Sequence, residues 1–178
     1  MSDRETSEID ALSAQQAHAN SPSAGFLRRF AAWIYDALVA IAIAMLSSAL
    51  ALGLVATLTA MGWLSLGNAE DHAALLTHSI WYKVYLLTVQ VVFFGWFWWR
   101  SGQTIGMRAW RLRLQNPDGS RLTIKQVAIR MLTCLLGLGN LWVLVDRKHK
   151  RAWHDYVAGT ELVTLSKQAN QLYYWREL

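Results

Sequence analysis

The sequence predicts an all-α, multi-pass membrane protein with two transmembrane helices, a third hydrophobic segment and a short cytoplasmic β-hairpin. Of its 178 residues, 54% are hydrophobic and 16% are charged, whereas soluble domains carry roughly 25% charged residues. Two long stretches, Ala31–Leu66 and Trp81–Trp99, each contain one charged side chain. A helix needs about 20 apolar residues to cross the hydrocarbon core of a bilayer, so both stretches are long enough to span it.

The amino-terminal part divides into a polar tail and the first helix. Residues 1–24 are rich in Ser, Ala, Gln and acidic side chains, a composition that predicts a disordered cytoplasmic tail. The first helix is predicted at about 26–58 and the second at about 81–99. The first hydrophobic run is far longer than the roughly 7 to 15 apolar residues of a signal peptide, so we expect it to stay in the mature protein as an anchor.

Charge placement predicts the orientation of these two helices. The loop between them, residues 65–79, contains no Lys or Arg. Arginines precede the first helix and follow the second, at Arg28, Arg29, Arg100, Arg108, Arg111 and Arg113. Cytoplasmic flanks of membrane helices carry an excess of Lys and Arg. We therefore expect a cytoplasmic amino terminus and an external acidic loop.

A β-hairpin is predicted at about 108–124, after the second helix. Apolar and polar residues alternate along Trp110–Leu114, and the sequence Asn-Pro-Asp-Gly follows at residues 116–119. Alternation beside a Pro-Asp-Gly turn is typical of two short strands. A later stretch, Glu161–Leu165, also alternates and is a candidate to pair with this hairpin.

The third hydrophobic segment, at about 127–145, allows two interpretations. It is short, since the 15 residues between Arg130 and Asp146 extend only ~22 Å as a helix. Both of its flanks are basic, and a crossing segment cannot obey the positive-inside rule at both ends. The segment is therefore either a tilted third span or a broken helix that re-enters the bilayer and returns to the cytoplasm.

Asp36 is the most unusual residue of the first helix. It lies seven positions after Arg29, on the same helical face, and small residues continue that face at Ala40, Ala44, Ser47 and Ala51. An aspartate at the centre of a membrane helix costs about 3 kcal/mol, so Asp36 needs a proton, a cation or a nearby base. Arg130 is the candidate base, and the candidate hydrogen-bond donors are Gln90, Thr88 and Tyr85.

Three roles for Asp36 remain open at this level. A buried Asp–Arg pair fixes the bundle without transport, whereas a titrating carboxylate carries an ion or a proton across the membrane. Binding of a lipid or another small molecule is the third role.

Other functional classes find little support in the sequence. The cluster containing Asp146, His149, His154 and Asp155 matches no familiar zinc spacing, and its basic residues are typical of a segment at the level of lipid head groups. We expect no metal, no cofactor and no nucleic-acid partner. No nucleophile or phosphate-loop motif occurs in the chain, so we do not expect an enzyme. The single cysteine, Cys134, is assigned no chemistry.

Five elements together resemble the RDD family of bacterial inner-membrane proteins, named for one arginine and two aspartates. Arg29 and Asp36 lie in the opening element RRFAAWIYD, and SGQTIGMR is similar to the family's Gly-Gln-Thr-x-Gly element. An Asp-Gly turn, Arg130 and the element HDYVAGTELV follow in the family's order, with Asp155 as the second aspartate. Many relatives carry lysine where this chain has Met107.

The resemblance implies an RDD-like membrane domain over residues 25–165, followed by a carboxy-terminal tail at 166–178. It also implies a bacterial inner-membrane location and a role that is unknown for most members, with cation/proton exchange proposed for some.

Our functional expectation is cation or proton movement in which Asp36 binds the ion and Arg130 tunes its pKa. Arg29 and Asp155 would form a cytoplasmic gate, with secondary roles for Gln90, Thr104 and His154. Because one copy has too few helices to enclose an aqueous path, we expect a homo-oligomer or another membrane-protein partner in addition to the lipid bilayer. The alternative is a non-transporting accessory or assembly protein with a structural Asp/Arg network.

Overall fold

A computed structural model describes residues 15–134, 139–146 and 151–171. The labelled helices and strands are α1 (Phe26–Ala60), α2 (His72–His78), α3 (Ile80–Arg100), α4 (Ile105–Ala109), β1 (Leu112–Gln115), α5 (Ile124–Thr133), α6 (Trp142–Val145), α7 (Trp153–Ala158) and β2 (Glu161–Thr164). Residues 15–19 and 167–171 are helical as well.

Two helices, α1 and α3, are long and apolar enough to cross a membrane. They contain 35 and 21 residues, or about 52 and 31 Å of helix. Large apolar side chains along both helices are exposed, among them Leu38, Leu50 and Leu87. Large exposed apolar surfaces mark a membrane or protein interaction site, so α1 and α3 are candidate membrane spans.

The third hydrophobic segment is not confirmed as a span. Helix α5 contains 10 residues and ends at Thr133, and α6 contains four. Residues 135–138 of this segment lie outside the described ranges. Within the described ranges, only α1 and α3 reach the length and hydropathy of a span.

The small sheet differs from the predicted hairpin. Strand β1 pairs with β2 in antiparallel register, with Leu112 opposite Thr164 and Gln115 opposite Glu161. The turn at residues 116–119 forms, because the amide of Gly119 donates to the carbonyl of Asn116. The chain after this turn is not a strand and leads directly to Thr123, which caps α5 through a reciprocal bond with Gln126. The later alternating stretch is therefore the real partner of β1.

The described residues before α1 pack on this sheet. The amide of Ala24 donates to the carbonyl of Leu162 at 2.8 Å, and Thr164 donates to Pro22 at 2.8 Å. Residues 15–19 are helical, and the side-chain Nε2 of Gln115 donates to the carbonyl of His18. Residues 15–24 are therefore ordered, whereas the sequence predicted a disordered tail over 1–24. Residues 1–14 of that tail lie outside the described ranges. Residues 172–178 of the predicted carboxy-terminal tail also lie outside them.

The chain divides into two compact units, and both boundaries fall within the long helices. One unit contains the described residues up to Asp36 together with those from Phe94 onward, and the other is Ala37–Phe93. The first unit has an apolar core made of Ala24, Ala32, Met107, Leu112, Leu114, Leu122, Val127 and Leu162. In the second, Tyr82 donates to Ser48 at 2.7 Å and Gln90 to the carbonyl of Ala40 at 2.8 Å.

Candidate functional site

Asp155 is the centre of a buried polar cluster. Its Oδ2 accepts from Arg29 Nη1 at 2.7 Å, and its Oδ1 accepts from Arg130 Nη1 at 2.5 Å. The amide of Ala152 donates a third hydrogen bond to Oδ2 at 2.9 Å. Asp155 is fully buried, and the two arginines are 2% and 3% exposed. The carboxylate is thus held by two cations and one backbone amide away from solvent.

Local structure places each of these groups. Arg29 lies in the first turn of α1, where its Nε also donates to the carbonyl of Ala24 at 3.1 Å. Asp155 is the third residue of α7 and reaches back to the backbone at the start of that helix, as in a capping box. Gly159 ends α7 in the left-handed conformation, with φ of 64°, which glycine adopts without strain.

The turn at Gly159 brings Thr160 into the cluster. The hydroxyl of Thr160 accepts from Arg130 Nη1 at 2.7 Å. The guanidinium of Arg130 also lies 5.4 Å from the ring centroid of Trp98, a distance typical of a cation–π contact. Two arginines and one aspartate leave this trio with one excess positive charge, and Trp98 helps to stabilise it.

The charges of the cluster set the pKa values of its other members. Burial by itself would raise the pKa of Asp155, but the neighbouring charges of Arg130 and Arg29 hold that pKa well below its ordinary value. Burial, and then the charge of Arg130, lower the pKa of His154 to about 4. The imidazole Nε2 of His154 lies 3.7 Å from Asp155 Oδ1. At neutral pH, therefore, Asp155 is ionised and His154 is neutral.

Stability should fall as the pH drops from about 6.5 towards 4. The pKa of His154 is about 4 in the folded chain and 6.5 ordinarily, so the unfolded chain binds the proton first and acid favours unfolding. His154 contributes at most about 1.4 kcal/mol per pH unit in this window. Thermal unfolding in detergent from pH 7 to 4.5 measures the slope.

The matched variant for this measurement is His154→Gln, which should show a shallower loss of melting temperature. Part of the slope should remain, since burial and then Arg113 lower the pKa of His18 to about 4 as well. An identical slope in the wild type and in His154→Gln would show that His154 does not titrate between the two states.

Asp36 belongs to a second polar site, in which it joins α1 to the start of α4. Its Oδ2 accepts from the hydroxyl of Thr104 at 2.5 Å, and its Oδ1 accepts from the amide of Gly106 at 2.8 Å. Thr104 also caps α4, because its Oγ1 accepts from the amide of Met107. The side chain of Thr104 is buried, and Asp36 is half-buried.

Gly106 allows the close approach of α4 to α1. A Cβ atom at this position would lie 2.8 Å from Asp36 Oδ1 and in a still closer clash with the carbonyl oxygen of Ala32. The element Gly102–Gly106 is thus shaped to receive the Asp36 carboxylate.

The prediction that Arg130 is the partner of Asp36 was wrong. Arg130 pairs with Asp155, and the donors to Asp36 are the neutral groups of Thr104 and Gly106. The three donors predicted on α3 bond elsewhere: Tyr85 to the carbonyl of Ser47, Thr88 to that of Val84 and Gln90 to that of Ala40.

The site residues that the sequence predicted thus lie in three different places. Arg29, Arg130, Asp155 and His154 meet in one cluster, Asp36 and Thr104 form the second site, and Gln90 belongs to the other compact unit. Sequence reasoning assigned no role to Thr160 or Trp98. The sequence offered two weak signals for them: Thr160 follows a helix-ending glycine, and Trp98 lies between Trp96 and Trp99 at the end of α3.

Neither site offers the donor set of a metal centre. Within the described ranges, no group of three or more His, Cys, Asp or Glu side chains is close enough to hold a metal ion. The chemistry of both sites is that of carboxylates held by hydrogen-bond donors.

Comparison with known proteins gives one match. The model of the RDD family matches residues 23–159, a range that includes both polar sites except Thr160. No curated protein and no solved structure is similar enough to this chain to count as a match.

Proposed function

The chain belongs to the RDD family, and from this premise we propose that it is a non-transporting accessory or assembly protein of the bacterial inner membrane. Its carboxylates hold the fold together in this proposal. Family membership and the two apolar helices indicate a membrane protein. The proposal adds two crossings by α1 and α3, a cytoplasmic amino terminus and a partner that is either a second copy or another membrane protein.

The observation that carries this proposal is the complete engagement of Asp155. Both of its oxygens are bound by arginine, one oxygen also accepts a backbone amide, and the side chain has no exposed surface. An ion carrier must release its counter-charges and meet water or a cation during each cycle. A carboxylate held by two buried arginines instead fixes the relative positions of α1, α5 and α7.

Asp36 fits the same role at a second position. Its two oxygens accept from Thr104 and from Gly106, which ties α1 to the segment that follows α3. Hydrogen bonds to a charged acceptor contribute about 1.5–3 kcal/mol each, enough to fix this junction.

Cation or proton movement through Asp36 is the second candidate. It is favoured by one observation: Asp36 is half-buried, and its hydrogen-bond donors in the described part of the chain are neutral. A carboxylate without a paired arginine is freer to exchange a proton or a cation.

Flux and stability together separate the two candidates. Purified wild type and Asp36→Asn are placed in proteoliposomes with an internal pH dye, and melting in detergent is recorded for both. We expect wild-type flux no greater than that of empty liposomes, and a lower melting temperature for Asp36→Asn because asparagine offers only one acceptor oxygen to two donors.

Two controls make this result interpretable. A protonophore shows that the vesicles report proton flux. Glu70→Gln alters an exposed carboxylate, so this substitution should leave the melting temperature unchanged. Cation-dependent flux in the wild type that is lost in Asp36→Asn, with unchanged melting, would overturn the accessory role and establish the transporter.

A further inference from the structure

The chain segments on either side of the third hydrophobic segment are hydrogen-bonded to each other. Strand β1 precedes this segment, β2 follows it, and the two pair along four residues each. The amide of Ala24, just before α1, donates to Leu162 in β2. A bilayer cannot pass through a hydrogen-bonded sheet, so these three segments lie on one side of the membrane.

This pairing restricts the number of crossings between β1 and β2. The number must be even, because both strands are on the same side. One crossing requires about 20 apolar residues, and the hydrophobic stretch at about 127–145 has too few for two. The described contacts therefore favour no crossing at all in this part of the chain.

Helix α5 nevertheless presents an apolar face outward. Val127 and Arg130 point to the core, whereas Ile124, Ile129 and Leu132 are exposed, Leu132 by 82%. A short helix whose outer face is apolar, and whose opposite face packs on the protein, can lie in the plane of the membrane interface.

Contacts with α3 place α5 beside the last two turns of that helix. The guanidinium of Arg130 lies over Trp98. Gly95 approaches Met131, whose Cε would be 3.4 Å from a Cβ at that glycine. Gly95 and Trp98 lie in the last two turns of α3, which ends at Arg100. In the crossing proposed above for α3, helix α5 therefore packs where α3 leaves the hydrocarbon region.

Helices α6 and α7 also expose apolar side chains, among them aromatic rings. Trp142 and Trp153 form an edge-to-face pair with centroids 5.9 Å apart, and both are nearly half exposed, as is Tyr156. Leu144 and Val157, in the same two helices, are exposed as well. Trp and Tyr concentrate at the head-group level of membrane proteins, where a ring contacts lipid and its polar atom contacts water.

We propose that α5, α6 and α7 form one lipid-facing surface that is embedded in the phospholipid head-group layer and does not cross the membrane. We call it the interfacial surface; its residues are Ile124, Ile129, Leu132, Trp142, Leu144, Trp153, Tyr156 and Val157. Exposed Lys125 lies at its edge, where a cationic side chain meets lipid phosphate. The proposal accounts for the basic flanks of the segment, because both ends stay in the cytoplasm.

Depth-dependent fluorescence quenching tests this surface in the full chain. In a Cys134→Ala background, single cysteines replace Leu132, Leu144 or Val157 and carry a polarity-sensitive dye. The protein is reconstituted in vesicles of phosphatidylethanolamine and phosphatidylglycerol that contain a nitroxide either near the head group or near the end of the acyl chain. Cysteine at Leu87, inside α3, marks the deep position, and cysteine at Asp118, in the exposed turn, marks the aqueous position.

We expect the three interfacial probes to lose more fluorescence to the head-group nitroxide than to the chain-end nitroxide. The Leu87 probe should show the opposite order, and the Asp118 probe should respond mainly to aqueous iodide. Stronger quenching of the Leu132 or Leu144 probe by the chain-end nitroxide would mean that the segment spans or re-enters the bilayer, and would overturn the proposal. Quenching of all three probes by iodide alone would also overturn it.

Discussion

Replacing Asp155 with asparagine should lower the free energy of unfolding by about 3–5 kcal/mol, the usual cost of removing one partner from a buried ion pair. Asparagine keeps the size of the side chain but removes the negative charge that Arg29 and Arg130 share. Both arginines would then lose the carboxylate that they share. Because domains are stable by roughly 5–15 kcal/mol, this loss removes a large share of the stability and should lower the yield of folded protein.

Unfolding by denaturant in detergent, followed by tryptophan fluorescence, measures this loss. Glu161→Gln is the matched control, since Glu161 pairs with Arg151 at 3.5 Å in a partly exposed position. Exposed pairs contribute about 0–1 kcal/mol, and glutamine can still accept from Gln115. A loss for Asp155→Asn as small as that of Glu161→Gln would contradict the structural role of the cluster.

Gly106→Ala should be the second most damaging substitution, with an expected loss of about 2–5 kcal/mol. The added methyl group would clash with the carbonyl of Ala32 and with Asp36, so α4 must move away from α1. That movement combines overpacking, at about 1–3 kcal/mol, with a weakened hydrogen bond to a charged acceptor. Melting temperature and yield of folded protein in detergent report the effect.

Gly53→Ala serves as the control for this substitution. Gly53 lies in the same helix as Ala32 and Asp36, and a Cβ there would meet no atom within 4 Å. Alanine is favoured over glycine inside a helix by about 0.5–1 kcal/mol, so stability should be unchanged or slightly higher. Equal behaviour of the two alanine variants would show that α4 does not need a glycine beside α1.

Sequence patterns predicted the helices better than their contacts. The apolar runs correctly predicted α1 and α3, because the hydropathy of a segment depends only on residues that are adjacent in sequence. The β1–β2 pairing was only a possibility, since alternation shows that a stretch is a strand but not which strand lies beside it. The turn at residues 116–119 was predicted, but its sequence does not reveal that the chain continues into the cap of α5.

The polar residues were identified individually, but one of their pairings was predicted incorrectly. Asp36 was recognised because a carboxylate inside an apolar helix is costly, and that argument led to a search for a cation. The structure instead supplies a hydroxyl and a backbone amide from Thr104 and Gly106. Arg130 and Asp155 are 25 positions apart, and only the packing of α5 against α7 brings them together.

A double-mutant cycle between Arg130 and Asp155 tests most directly whether the buried charges act as one structural unit. Unfolding free energies are measured for wild type, Arg130→Met, Asp155→Asn and the double variant. The double variant should be more stable than the sum of the single losses predicts, by about 1–3 kcal/mol, because it removes one of the two arginines left without their carboxylate. Additive losses would mean that Arg130 and Asp155 do not stabilise each other, and would contradict the account of the cluster as a structural lock.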